Sequence, residues 1–438
     1  MSERRAAWKS RIGAMFAFMA ATVGLGSLWR FPYKVGIYGG AAFLVAYFIC
    51  YLLIGIPAYI GETVFGKLTR RGPAGAFKKA IEEVKARKEW SLVGHLTVIF
   101  GTILNAQYLV VVGWTIIYLG LSLTGSIFTT DQAALENLWN SVFPGWISVI
   151  GLLIATLYCT VSIIRGVSEG IEKITSILMP TLFILLIIGC IRALTLEGAF
   201  KGVEFLFMPN IEKLFEASTW LQALGQVYFT TALGIGFIIT YGSYMSKRQK
   251  VTWNTYMVAV GDNLASILAG LAIFPAVFAL GLHPAAGAKL AFVVLPQVFA
   301  RMPLGAIFSV MFFLGFAIAA LEATKPAFEV ATSYLIDEFK LDRIKAALIV
   351  GAVELILGIT AALSFQIWDL FDRMWTIIPP LMGLFTSIFI GWKLDVEKIC
   401  REENIGRWWI YTIRYATPVG ITIVFMAYVL VNLGIISF

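Results

Sequence analysis

The sequence predicts an all-α polytopic membrane protein in which two of the spanning helices are broken near the middle of the bilayer. Three observations predict it. The chain of 438 residues is 59% hydrophobic and 14% charged, with a mean hydropathy of +0.84, whereas a soluble domain averages ~25% charged. Its apolar runs are each about 20 residues or longer, the length of a helix across hydrocarbon, not of the ~10-residue alternating strands of a barrel. The first run is interrupted by Thr22-Val23-Gly24-Leu25-Gly26-Ser27-Leu28-Trp29-Arg30-Phe31-Pro32, and a similar interruption recurs at Phe229-Thr230-Thr231-Ala232-Leu233-Gly234-Ile235-Gly236. Glycine adds backbone freedom, proline lacks a donor and arginine is costly in lipid. Backbone freed at membrane depth is tolerated where it lines a polar cavity, and one such interruption per half of a chain points to a transport site at the midplane.

Taken in order, the apolar pattern predicts roughly eleven spans, at about 12–34, 41–66, 92–123, 145–163, 171–194, 219–246, 252–280, 305–337, 344–363, 366–392 and 408–436. The first is too long for a cleavable signal peptide and lacks its small-residue cleavage site. With the N-terminus inside, the inner loops carry most of the 34 Lys and Arg, including Arg4, Arg5, Lys247, Arg248, Lys250 and the 67–88 loop. This sets a cytoplasmic N-terminus and an outer C-terminus, in the plasma membrane. The net charge of +8 follows from that asymmetry and is no sign of nucleic-acid binding. The expected partners are the lipid bilayer and a small substrate, the chain being a monomer or a weak homo-oligomer. Residues 76–88 form either an amphipathic helix on the inner leaflet or a solvated loop that sets topology. The long outer connections, 198–217 and 284–303, are expected to cap the bundle with short helices. Cys50, Cys159, Cys190 and Cys400 make no metal or redox motif. Residues 1–438 read as one transmembrane domain. Two five-span halves, 12–194 and 219–392, each begin with a broken helix, and an odd number of spans per half makes them inverted repeats. Span 408–436 lies outside the repeat.

At the breaks, freed N–H groups suit a substrate carboxylate and freed carbonyls suit a hard cation such as sodium. Ser27, Thr230 and Thr231 add hydroxyl oxygens. Asp262, alone in an apolar span, reads as a cation ligand or proton site, against a structural hydrogen bond. Glu62 is either functional or a cap on the amides freed at the first break. Arg30 and Asp372 can pair at the outer mouth, and Arg5 with Trp8 can meet Asp337 at the inner one, with ordinary surface contacts as the alternative. Tyr108 is the side chain best placed to hydrogen-bond a bound carboxylate. No nucleophile–base pair, metal cluster or nucleotide motif is present, so the chain is not read as an enzyme.

The chain resembles the neurotransmitter:sodium symporter family, with its LeuT-type fold, in its common prokaryotic eleven-span form. The resemblance is carried by Trp8, Val23-Gly24-Leu25-Gly26-x-x-x-Arg30-Phe31-Pro32, Gly39-Gly40-Ala-x-Phe43, Gly55-Ile56-Pro57 with Glu62, and Arg165-Gly166-x-x-x-Gly170-Ile171-Glu172-Lys173. It continues through Gln226-Val-Tyr-Phe229-Thr230, Ile239-Thr240-Tyr241-x-Ser243-Tyr244 and Leu295-Pro296-x-x-Phe299. It implies a first sodium site built from the Thr22 carbonyl, Ser27, Thr230 and Asp262. It implies a substrate pocket of Leu25, Gly26, Leu104, Tyr108, Phe229, Thr230, Ala232, Ile235, Ala323 and Ala327. The implied gates are Arg30, Gln226 and Asp372 outside, and Arg5, Trp8, Tyr244 and Asp337 inside. Ser266 aligns with a chloride-ligating serine of animal members, but Asp262 supplies a fixed negative charge, so no chloride is expected. A second cation site falls at Ala20, Val23, Ala319 and Glu322, beside Ala323. There the family's hydroxyl ligands are missing, and Lys325 sits at i+3 from Glu322. Either Lys325 neutralises Glu322 or its ammonium takes the cation position. Anchoring the helix on Pro326 instead would bring Ile318 and Ala319 to the site.

The resulting expectation is a sodium-coupled symporter that imports a neutral, apolar amino acid, bulky aliphatic or aromatic, by alternating access. The alternative is a proton-coupled or sodium-independent amino-acid transporter or exchanger with a modified second cation site. A substrate sensor or a channel fits less well, since no signalling domain is attached and the pocket is apolar.

Overall fold

The computed structural model describes residues 7–208, 210–284, 287, 289–433 and 435. All regular structure among the described residues is helical. In chain order the helices are α1 (Arg11–Thr22), α2 (Gly26–Ile37), α3 (Ala41–Thr69), α4 (Pro73–Val84), α5 (Lys88–Thr124), α6 (Gln132–Val142), α7 (Trp146–Ile164), α8 (Val167–Leu194) and α9 (Phe200–Phe207). There follow α10 (Ala217–Thr230), α11 (Phe237–Gly242), α12 (Val251–Ala279), α13 (Leu290–Arg301), α14 (Gly305–Phe339), α15 (Arg343–Leu363), α16 (Phe365–Lys393), α17 (Val396–Glu403) and α18 (Trp408–Ala427).

Among the described residues, nine helices are long and apolar enough to cross a membrane, or ten if α1 and α2, bent by 46° at their junction, count as one span. The predicted sixth span is present in two pieces. α10 has 14 residues and α11 has 6, and neither is long enough to cross alone. Large apolar side chains such as Leu52, Leu53, Ile150, Ile184 and Ile356 are exposed, as a lipid-facing surface requires. Residues Pro73–Val84 of the basic loop are helical, with proline in the first turn where its missing N–H costs nothing. The two long connections hold α9, a short 3₁₀ turn and α13, as the mixed composition there predicts.

α5, α7, α14 and α15 pack against one another as a scaffold. The broken pairs lie against it, with α1 on α8, α12 and α14, and α11 on α3 and α14. Close approach at the breaks depends on missing side chains. A Cβ on Gly24 would collide with that of Ala323, and one on Gly234 would run into the Pro379 carbonyl.

Candidate functional site at the two helix breaks

The first break begins where Val23 leaves helical geometry, at φ −79° and ψ 77°. The second is carried by Ala232, Gly234 and Gly236, all in the left-handed region, with φ of 54°, 73° and 83°. Left-handed backbone is strained for alanine and free for glycine. Two side chains tie these segments down. Glu62 accepts the Gly234 N–H at 2.8 Å, so it caps the second break and not the first, as sequence reasoning had it. Gln226 donates to the Gly26 carbonyl at 2.8 Å, which joins α10 to α2.

Four oxygens of the expected first cation site converge between the breaks. Asp262 Oδ1 accepts from Ser27 Oγ at 2.6 Å and from Thr230 Oγ1 at 2.8 Å, and the two hydroxyls lie 2.9 Å apart. The Thr22 carbonyl is 3.5 Å from Ser27 Oγ. Tyr51 donates to Asp262 Oδ2 at 3.2 Å, a partner the sequence did not reveal. Asp262 is fully buried. One carboxylate among neutral oxygens fits a single hard monovalent cation. Among the described residues no group of three His, Cys, Asp or Glu could hold a metal of higher charge.

Beside these oxygens lies a small cavity of about 20 Å³. Of the expected pocket residues, Gly26, Tyr108, Phe229, Ala232, Ile235 and Ala323 line it. Leu25, Leu104, Thr230 and Ala327 are buried around it without lining it. Tyr108 accepts the Leu25 N–H at 2.9 Å, which leaves its own O–H to donate. Among the other lining residues, Asn105, Phe237 and Trp375 went unseen in the sequence. Trp375 packs on Phe229 and Tyr108, at 4.6 and 6.4 Å between ring centroids, and roofs the cavity.

Arg30 and Asp372 make no direct ion pair. The Arg30 guanidinium lies 4.4 Å above the Phe229 ring and donates to Thr376 at 3.0 Å, while Asp372 Oδ1 has no partner. At the mouth expected to be the inner one, Trp8 donates to the Tyr241 carbonyl at 3.1 Å and packs edge-on against Tyr241 and Tyr244. Tyr244 donates to Glu329, which also binds Arg343. Asp337 pairs with Arg71 at 3.1 Å; Arg5, expected opposite it, lies outside the described residues. Trp8 and Phe229 are both buried.

At the second expected cation position, the break in α1 packs on Ala319 and Ala323 through Gly24, and Ala20 and Val23 are buried. Next to this contact Glu322 Oε1 accepts from Lys325 at 2.6 Å and from Tyr158 at 2.8 Å, and Oε2 accepts from Thr175 at 2.6 Å. Both charged side chains have 0% exposure. Lys325 also faces the Tyr158 ring at 5.1 Å.

The model of the sodium:neurotransmitter symporter family matches residues 5–143 and 143–435. The chain belongs to this family. A sodium-dependent transporter of Bacillus subtilis, YhdH, is similar at 32% identity over all of both chains. One from Methanocaldococcus jannaschii is 30% identical over 96% of this chain and 89% of its own. The crystal structure of MhsT in complex with L-phenylalanine superposes with a TM-score of 0.90 at 35% identity, covering 97% of this chain and 99% of that one. As a member of the symporter family the chain is a multi-pass membrane transporter, not an enzyme.

Proposed function

We propose that the chain is a sodium-coupled symporter that imports a neutral, apolar amino acid, bulky aliphatic or aromatic, across the plasma membrane by alternating access. The observation that carries this reading is the meeting of Ser27, Thr230 and the Thr22 carbonyl around the buried Asp262, oxygens from both sides of the first break, the start of the second and α12. A sodium ion there would draw α1, α10 and α12 together and hold the two freed backbones in register. The substrate carboxylate would take the Tyr108 hydroxyl and the amides of the first break. Its side chain would lie between Phe229, Trp375 and the small Ala232 and Ala323. The neutral wall supports a substrate that brings its own charge balance, as a zwitterionic amino acid does. MhsT, whose crystal structure contains L-phenylalanine, is a relative with a ligand of this class.

Opening would proceed by release of Arg30 from Phe229 on the outside and of Trp8 from Tyr241 and Tyr244 on the inside, one at a time. We assign one sodium per cycle. At the second position the ammonium of Lys325 supplies the positive charge beside Glu322, and a further cation would meet strong repulsion at low dielectric. No chloride is required, the N-terminus is cytoplasmic, and the working unit is a monomer or a weak homo-oligomer. The halves 12–194 and 219–392 act as inverted repeats, with 408–436 appended.

The test is uptake into proteoliposomes with the sodium and pH gradients varied separately. Sodium-driven uptake of a neutral amino acid is expected, and Asp262→Ala should abolish sodium-stimulated substrate binding in a folded protein. Uptake driven by protons alone, or unchanged sodium dependence in Asp262→Ala, would overturn the assignment.

A further inference from the structure

The cavity wall is apolar with few exceptions, and most of its polar side-chain groups are turned away or committed. The Thr22 hydroxyl donates back to the Met19 carbonyl at 2.9 Å. The Trp375 N–H donates to Gln107 at 3.0 Å. The Tyr108 hydroxyl accepts the Leu25 N–H and keeps its own O–H for the substrate carboxylate. Asn105, one turn before Tyr108 on α5, is different. Its amide nitrogen donates to Glu354 Oε1 at 3.1 Å, behind the wall on α15. In this contact the amide nitrogen faces Glu354 and the amide oxygen faces away from it. The amide oxygen is left over, and among the described residues no donor reaches it.

Glu354 has 0% exposure, its Oε2 has no partner, and among the described residues no cation pairs with it. A carboxylate held in a membrane interior by one amide is expensive, and such residues are kept where they serve the transported species. Here its service is to orient Asn105.

We infer that Asn105, aimed by Glu354, is a specificity-determining acceptor at the side-chain end of the cavity, selecting amino acids whose apolar ring carries one hydrogen-bond donor, of the indole or phenol kind. The inference rests on the amino-acid reading above and names the substrate class of that same cavity. Asn105 contacts the substrate; Glu354 is a positioning residue that acts through it. A ring without a donor would leave the oxygen desolvated and unpaired, which a polar site penalises far more than a missing methylene.

The experiment is sodium-dependent competition against radiolabelled phenylalanine on the purified full-length protein. The competitors are two matched pairs, tyrosine with phenylalanine and tryptophan with 1-methyltryptophan. In the unaltered protein, at least one donor-bearing member should bind about tenfold tighter than its partner. Asn105→Leu should bring that ratio close to one while phenylalanine still binds. Glu354→Leu should lower the same ratio, because the Asn105 amide then loses the partner that orients it. A purely structural role for Glu354 would weaken both members of a pair equally. If Asn105→Leu fails to bind phenylalanine, Asn105→Ser reads the same ratio. Equal affinities within both pairs in the unaltered protein, or a ratio untouched by the Asn105 variants, would overturn the inference. Absence of sodium-dependent binding by every amino acid tested would instead overturn the transport reading on which it rests.

Discussion

Lys325 and Glu322 lie at positions where a membrane helix ordinarily carries no charge. Lys325 is fully buried, and its carboxylate partner is held on three sides by Lys325, Tyr158 and Thr175. Removing one member of such a pair leaves an uncompensated buried charge. Lys325→Met should therefore destabilise the protein by about 3–5 kcal/mol, read as a lower melting temperature in detergent. The double change Lys325→Ile with Glu322→Thr should recover most of that loss, since no charge then remains to be solvated. The pairing itself was legible in the sequence as an i, i+3 spacing on one helix face. Tyr158 and Thr175 were not, because spacing reveals which residues share a face and not which helix that face meets. Asn105 and Trp375 escaped for the same reason: an amide or an indole in an apolar span looks the same whether it faces a cavity or a neighbouring helix.

The second break, between α10 and α11, relies on backbone that ordinary residues avoid. Gly234 has φ 73°, its N–H goes to Glu62, and the space a Cβ would need is filled by the Pro379 carbonyl. Gly234→Ala combines left-handed strain of roughly 1–2 kcal/mol with that clash. The expected outcome is loss of substrate binding with the helical content by circular dichroism retained. Glu62→Gln keeps the shape but replaces the carboxyl that accepts the Gly234 N–H by an amide that can turn a donor towards it, and should cost about tenfold in substrate affinity. Both breaks were visible as glycine and hydroxyl residues inside apolar runs, which is a local signal. Glu62 was visible as a buried acid, yet its partner is 172 residues away in sequence. Choosing the second break over the first required the packing of α11 along α3.

Across the molecule, two seals of unlike chemistry close one cavity. The inner seal is aromatic, with Trp8 set against Tyr241 and Tyr244. Its base is anchored by Glu172, which accepts the backbone N–H groups of Lys9 and Ser10 at 2.7 and 2.9 Å. Trp8→Ala should unlatch this side. Amide hydrogen exchange in Phe237–Tyr244 should rise several-fold, and added sodium should no longer slow it as in the unaltered protein. At the outer seal Arg30 makes no direct ion pair with Asp372 and rests on the face of Phe229 and on the Thr376 hydroxyl, inside a buried site. Surface ion pairs weaken as dissolved ions accumulate around them, but a buried cation on an aromatic face is shielded from that atmosphere. The outer door should thus open and close at much the same rate in dilute and in briny surroundings, when choline chloride is varied at fixed sodium.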